Sequence, residues 1–497
     1  MGTVALMMSF PACLVAIGTA AGAGVSPDST SYMSAAESFA EYGHLTTWTG
    51  EPISLFPPGF PLILGMLVDS GVGAERASIV IGAICASLLV LLAYLIGREA
   101  MRSGAASLAS AAIVAASAAV PRVFTWILSE PLFSVTVATV VYALTKAIRR
   151  STMGIPSIAL ISILVSLATT IRYAGVFLIP VAAIAALLTN GRVDISRRSV
   201  ARAVAVSLLS SAGFTVVAVR NLLIGSEPLG ERFPGGRTVG AIVDQSVTTL
   251  ATYVSPALKG RSATVVGLLV IVLFLLGIRY ALRCADILLF PVFGTVAIYW
   301  GFLAWSEWTS PIDPVNVRLT IPILTPMAVG VVYSLAQILR RLAPGVVPFA
   351  RRLPSIAATA CLASYVGFNA SSGIDLARHF SIHSQGFNRQ QALSSPLASS
   401  LSDPVCRSGV ASSNPWLAYW VTRCTPIATI PLASKNAAQQ SERAELESAI
   451  GGGKVRYLAF FDHRKSIKPE DLRESGFDIR LAGRFTDGDL YEIVPSE

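Results

Sequence analysis

Long apolar runs separated by short basic stretches fill the first three quarters of the chain. A helix needs roughly 20 apolar residues to cross hydrocarbon. Runs of that order lie near 3–24, 75–97, 104–121, 124–145, 154–171, 173–189, 200–223, 263–282, 286–306, 318–339 and 354–371. They predict about eleven transmembrane helices. The apolar piece Pro57–Val68 is too short to cross and is expected to re-enter or to lie at the interface. After residue 371 the pattern changes. VASSNP, TPIATIPL, VRYLAFFDH and LYEIVP read as strands, with helices starting at Trp416, over Gln439–Ile450 and near Pro469–Ser475. That alternation predicts a small α/β domain over 372–497, behind a membrane module over 1–371 whose outer loops are 25–61 and 224–262. No repeat of fixed period is visible.

Composition sharpens this picture. The 497 residues are 53% hydrophobic and only 13% charged, where soluble domains carry about 25% charge. A net charge of +9 would suggest nucleic acid in a soluble protein. Here Lys and Arg instead gather in short loops, at Arg98 and Arg102, Lys146 to Arg150, Arg192 to Arg202, Arg279 and Arg283, and Arg340 to Arg352. All these clusters fall on one side, which the positive-inside rule makes cytoplasmic. The Ser26–Pro61 loop and everything past about residue 372 then lie outside. The apolar start of the chain reads as a retained first span rather than a cleaved signal, because no Lys or Arg precedes Arg76.

Cysteine usage adds little. Cys13, Cys85, Cys284 and Cys361 sit in apolar runs, whereas Cys406 and Cys424 lie in the polar C-terminal region. The last two are able to pair if that region is outside the cytoplasm, and the sequence leaves this open. No CxxC or HExxH spacing occurs, and the four histidines form no cluster, so no metal site is expected.

The candidate chemistry lies at the outer ends of the apolar runs. Asp28 opens a polar loop directly after the first span, and Glu130 stands at the start of the fourth in LSEPLF. Arg172 lies in the turn TIRYAG, Arg220 closes the seventh span, and Arg318 opens the tenth in NVRLTIP. Charges at such depths are costly and tend to mark function. Guanidiniums are suited to grip phosphate oxygens two at a time. Each also has a plainer reading. An arginine at a helix end snorkels to headgroups or pairs with Glu130, and Asp28 caps a helix over Ser29–Tyr42. Glu37 and Glu41 read as a solvated face, with Glu51 and His44 as weaker candidates.

These landmarks, taken in order, resemble the GT-C superfamily of polytopic glycosyltransferases, in its aminoarabinose- and mannosyl-transferase-like branch. They are DSTSY followed by AAESFAEYG, then PPGFPLILG, SEPLF, TIRYAGVFLIP, VRNLLIGSEPLGER, NVRLTIPIL and SNPWLAYWVTRCTPIATIPL. The resemblance implies a mostly α membrane protein, a GT-C-like bundle with a small C-terminal extracytoplasmic α/β domain. It implies a bacterial inner-membrane enzyme whose donor is a polyprenyl-phosphate sugar and whose acceptor is a glycan, lipid or protein. Asp28 would be the catalytic base. Tyr32, Glu130, Arg172, Tyr173, Arg220, Asn221 and Arg318 would bind substrate. A single Asp stands where some branches carry an acidic pair, so metal and other cofactors are not expected. The competing readings are a secondary transporter, disfavoured by the absence of repeats, and a non-catalytic membrane scaffold.

Overall fold

The computed structural model describes residues 2–150, 153–189, 192–230, 237–283, 287–310, 313–342, 353–433, 437–461 and 466–494. Cys284, Arg351, Arg352 and residues 231–236 of the second outer loop lie outside the described residues.

Helix occupies each expected span. Among the described residues, five helices are individually long and apolar enough to cross a membrane: Ala74–Met101, Glu130–Arg149, Arg197–Leu223, Gly260–Arg283 and Val317–Arg341. Shorter apolar helices at Gly2–Gly18, Gly104–Ala116, Ile155–Ile171 and Tyr173–Ala186 fill other predicted positions. Five of the eleven expected spans thus qualify on length and apolarity alone among the described residues. Breaks in the backbone account for part of the difference. The third predicted span ends at Ala116 and resumes as a separate turn, Ala119–Phe124, with Pro121 inside it. The sixth begins as a 3₁₀ turn, Tyr173–Phe177, before Leu178–Ala186. The Pro57–Val68 piece forms an 11-residue helix, Gly59–Asp69, too short to cross.

Helices pack around one long apolar core that includes Leu89, Phe124, Phe133, Leu144, Val181 and Tyr299. Four of them run from one common end of the bundle to a basic end. Ala74–Met101 and Glu130–Arg149 finish near Arg98 and at Arg149, and Gly260–Arg283 and Leu324–Leu342 finish at Arg283 and at Arg340 and Arg341. The common end carries the first outer loop, whose helix spans Pro27–Tyr42. Ser26 caps that helix by accepting from the Ser29 amide, and Ser29 answers through its own hydroxyl to the Ser26 amide. Pro27 supplies the preset first turn, and Gly43 closes the helix in the left-handed region at φ 75°. The cap is therefore Ser26 and not Asp28, which leaves the Asp28 carboxylate for other partners.

Beyond the Leu353–His383 helix the chain turns back onto this same end. Val25 forms a parallel bridge with Gly386, and Gly24 forms another with Trp126. Gly386, at φ +59°, lies so close to the Val25 carbonyl that a β-carbon would collide with it. Gln385 donates to the Thr125 hydroxyl (2.7 Å), and Asn388 donates to the Ala23 carbonyl (2.8 Å). The C-terminal domain follows as a five-stranded sheet in the order Ala428–Thr429, Val410–Ser412, Tyr457–Phe461, Gly488–Ile493, Ile479–Phe485. Its first two pairings are parallel and its last two antiparallel. Helices Pro415–Thr422 and Ala437–Gly451 accompany the sheet, and a disulfide joins Cys406 to Cys424 with their Cα atoms 5.6 Å apart.

Candidate active site

Four helix ends meet beside the first outer loop, each bringing one charge. Asp28 lies in the first turn of Pro27–Tyr42, and Glu130 is the first residue of Glu130–Arg149. Arg172 follows the last turn of Ile155–Ile171, and Arg318 lies in the short turn Val317–Thr320. Carboxylates at helix N-termini and a cation past a C-terminus each complement the local backbone dipole.

Arg318 joins the two acids. Its Nη2 donates to Asp28 Oδ2, and its Nε donates to Glu130 Oε1 at 2.6 Å. Asp313 adds a looser contact at 3.6 Å. Arg172 donates to the same Glu130 oxygen at 2.8 Å and to the Ser129 hydroxyl at 3.0 Å. Glu130 is fully buried, and its other oxygen, Oε2, meets no donor among the described residues. Asp28 is partly open, with a quarter of its side chain exposed. Tyr32, one turn on from Asp28, is within hydrogen-bond reach of Ser129 at 3.3 Å and packs between Phe56 and Phe60. Burial pushes the Tyr32 hydroxyl above its ordinary pKa, with Arg172 pulling the other way, so it stays protonated as a hydrogen-bonding group.

Arg318 is held from outside its own turn. Thr249 donates to the Val315 carbonyl (2.9 Å), and Tyr299 donates to the Leu319 carbonyl (2.6 Å). The buried Glu307 accepts from the Val315 amide (3.4 Å) and pairs with Arg237 (2.9 Å). Glu307 and Ser129 are parts the sequence reading omitted. Glu307 carried a visible signal, a carboxylate near the end of the apolar run WGFLAWSEW.

Arg220, Asn221 and Tyr173 form a second group. Arg220 donates to the Ile53 carbonyl at 2.6 Å and to the Asn221 side-chain oxygen at 3.1 Å. Asn221 donates to the Tyr173 hydroxyl (2.7 Å) and to the Pro228 carbonyl (3.1 Å), and Tyr173 donates to the Ser54 carbonyl (2.7 Å). These bonds fasten the far end of the first outer loop. The ion pairs of Asp28 thus involve Arg318 and not Arg220. Glu37 pairs loosely with Arg423 at 3.7 Å, while His44 and Glu51 are exposed. Among the described residues, no three His, Cys, Asp or Glu side chains gather as a metal site.

Bundle, outer loop, returning C-terminal segment and small sheet together make the fold of the GT-C glycosyltransferases. Two crystal structures of ArnT from Cupriavidus metallidurans are similar over nearly their whole length. The apo form shares 10% identity at a TM-score of 0.59, covering 99% of this chain and 97% of that one. The form bound to undecaprenyl phosphate shares 11% identity at 0.58, covering 99% and 98%. The archaeal oligosaccharyltransferase AglB from Archaeoglobus fulgidus, in complex with an inhibitory peptide and a dolichol-phosphate, shares 12% identity at 0.53, covering 92% and 69%. No family model and no curated protein sequence matches the chain.

Proposed function

We propose that this chain is an inverting glycosyltransferase that moves a sugar from a polyprenyl-phosphate donor to an acceptor hydroxyl where bilayer meets water. The observation that carries the reading is Arg318 bridging Asp28 and Glu130 at the end of a GT-C bundle. An ArnT of the same fold is bound to undecaprenyl phosphate, and AglB to a dolichol-phosphate, which supports a lipid-phosphate donor.

The chemistry follows from the pairing. A donor phosphate competes with Asp28 for Arg318, and its arrival frees the carboxylate to take the proton of an acceptor hydroxyl. General-base assistance of this kind contributes about 10²–10⁴-fold. As the bond from the anomeric carbon to the phosphate oxygen breaks, charge grows on the phosphate and is met by Arg318 and Arg172. Attack opposite the departing phosphate inverts the anomeric carbon. Arg220, Asn221 and Tyr173 serve the same reaction by fixing the first outer loop. Metal ions take no part in this reading, because guanidiniums balance both carboxylates.

The reading places the site outside the cytoplasm of a bacterial inner membrane. The basic ends of four helices lie away from the site, as cytoplasmic ends should. Trp305 and Trp308, more than half exposed near the end of Phe290–Thr309, suit an interfacial belt at the level of the site.

The test is Asp28→Asn in proteoliposomes supplied with radiolabelled polyprenyl-phosphate sugars and host envelope acceptors. Transfer is expected to fall about 10²–10⁴-fold with folded protein recovered in full. Undiminished transfer would remove Asp28 from the mechanism, and solute flux without transfer would replace the enzyme with a transporter.

A further inference from the structure

A cavity of about 750 Å³ opens beside Arg318, lined by the Val239–Val254 helix and the returning C-terminal segment and not by Glu130. Four cations line it, Arg122, Lys259, Arg318 and Arg389, and no carboxylate does among the described residues. Arg318 is committed to Asp28 and Glu130. The side chains of Arg122, Lys259 and Arg389 have no ion-pair or hydrogen-bond partner among the described residues. Arg122 is half-buried, so its unmatched charge is costly to keep there without an anion.

The donor does not account for this charge. A sugar linked through a polyprenyl phosphate is a phosphodiester and carries one negative charge. Arg318 meets that charge, and Arg172 meets the second one that grows as the leaving phosphate departs. Three cations remain over. They line the cavity together with Ser26, two residues before Asp28. An acceptor seated in the cavity therefore lies beside the helix start that carries Asp28.

Resting on the glycosyltransferase reading, we infer that this cavity is a second anion site, at which Arg122, Lys259 and Arg389 hold a phosphate or carboxylate carried by the acceptor. The acceptor is then an acidic molecule, and the site selects it by charge while Asp28 acts on its hydroxyl. Gln245, Thr248 and Thr252 on the neighbouring helix face give neutral hydrogen-bonding groups to the rest of it.

The experiment uses the full chain in a non-ionic detergent, titrated with undecaprenyl phosphate, with inorganic phosphate, and with inorganic phosphate at saturating undecaprenyl phosphate. Expected is binding of both together. In the triple variant Arg122→Gln, Lys259→Gln and Arg389→Gln, phosphate affinity falls about tenfold or more, and that of undecaprenyl phosphate changes far less. Lys259→Gln alone, at an exposed position, gives a smaller loss without risk to folding. Competition between the two ligands would overturn the inference by making this the donor's own site. Unchanged phosphate binding in the triple variant would overturn it as well. Failure of undecaprenyl phosphate to bind, with phosphate binding intact and dependent on Arg122, would strike the donor reading and leave the anion site standing.

Discussion

Glu130 carries an unusual burden for one carboxylate, since a single oxygen accepts from Arg318 and Arg172 while the other is buried without a donor. Glu130→Gln leaves two guanidiniums facing each other with no anion between them. Breaking a buried pair from one side costs about 3–5 kcal/mol, so the midpoint of thermal unfolding should drop clearly. Adding Arg172→Gln should recover part of the loss, because the pair is then deleted rather than broken. Strictly additive losses would show that the two groups do not depend on each other. The charged members of this site were legible in the sequence, each as a charge at the end of an apolar run. Their pairing was not, because Arg318 lies 290 residues from Asp28 and 188 from Glu130. Hydroxyl partners such as Ser129 left no trace, since serine is common throughout these runs.

At the scale of elements, the first outer loop is held at both ends, by the Ser26 cap beside Asp28 and by Arg220, Asn221 and Tyr173 beyond Ile53. Asn221→Ala removes the donor shared between Tyr173 and the Pro228 carbonyl. A catalytic group displaced by an ångström loses up to about 10²-fold, so kcat should fall while KM for the donor stays near its starting value. A selective rise in donor KM would instead place this group against the phosphate. Metal removal gives a second check at this scale, since guanidiniums fill the role of a cation beside both acids. Transfer should survive exhaustive chelation with EDTA, and loss restored by a divalent ion would refute that assignment. Helix was readable wherever apolar runs were long. The broken elements were not, because Pro121 and the 3₁₀ turn at Tyr173–Phe177 interrupt helices without interrupting hydrophobicity. The strand Ile479–Phe485 also escaped notice. It is an edge strand with most of its side chains exposed, so IRLAGRF lacks the alternation a half-buried strand shows.

For the whole molecule, the Cys406–Cys424 bridge closes a loop of 18 residues between two pieces of the C-terminal domain. Closing a loop of about this length is worth about 3 kcal/mol in the chain-entropy account. The paired change Cys406→Ser and Cys424→Ser should make this domain the first part cut in limited proteolysis, leaving the bundle intact. The intact mass of the wild-type chain should rise by two hydrogens on reduction, and no rise would mean that the thiols are free. The small C-terminal sheet was legible from the change in pattern near residue 371, but the Leu353–His383 helix runs on past that point before the chain turns. The stitch of Gly386 to Val25 also sets an order of events during synthesis. The partner bridged to Val25, three residues before Asp28, lies 361 residues further along the chain, at Gly386. A ribosome must therefore pass Gly386 before the start of the Asp28 helix gains this neighbour, and a nascent chain stalled earlier lacks it.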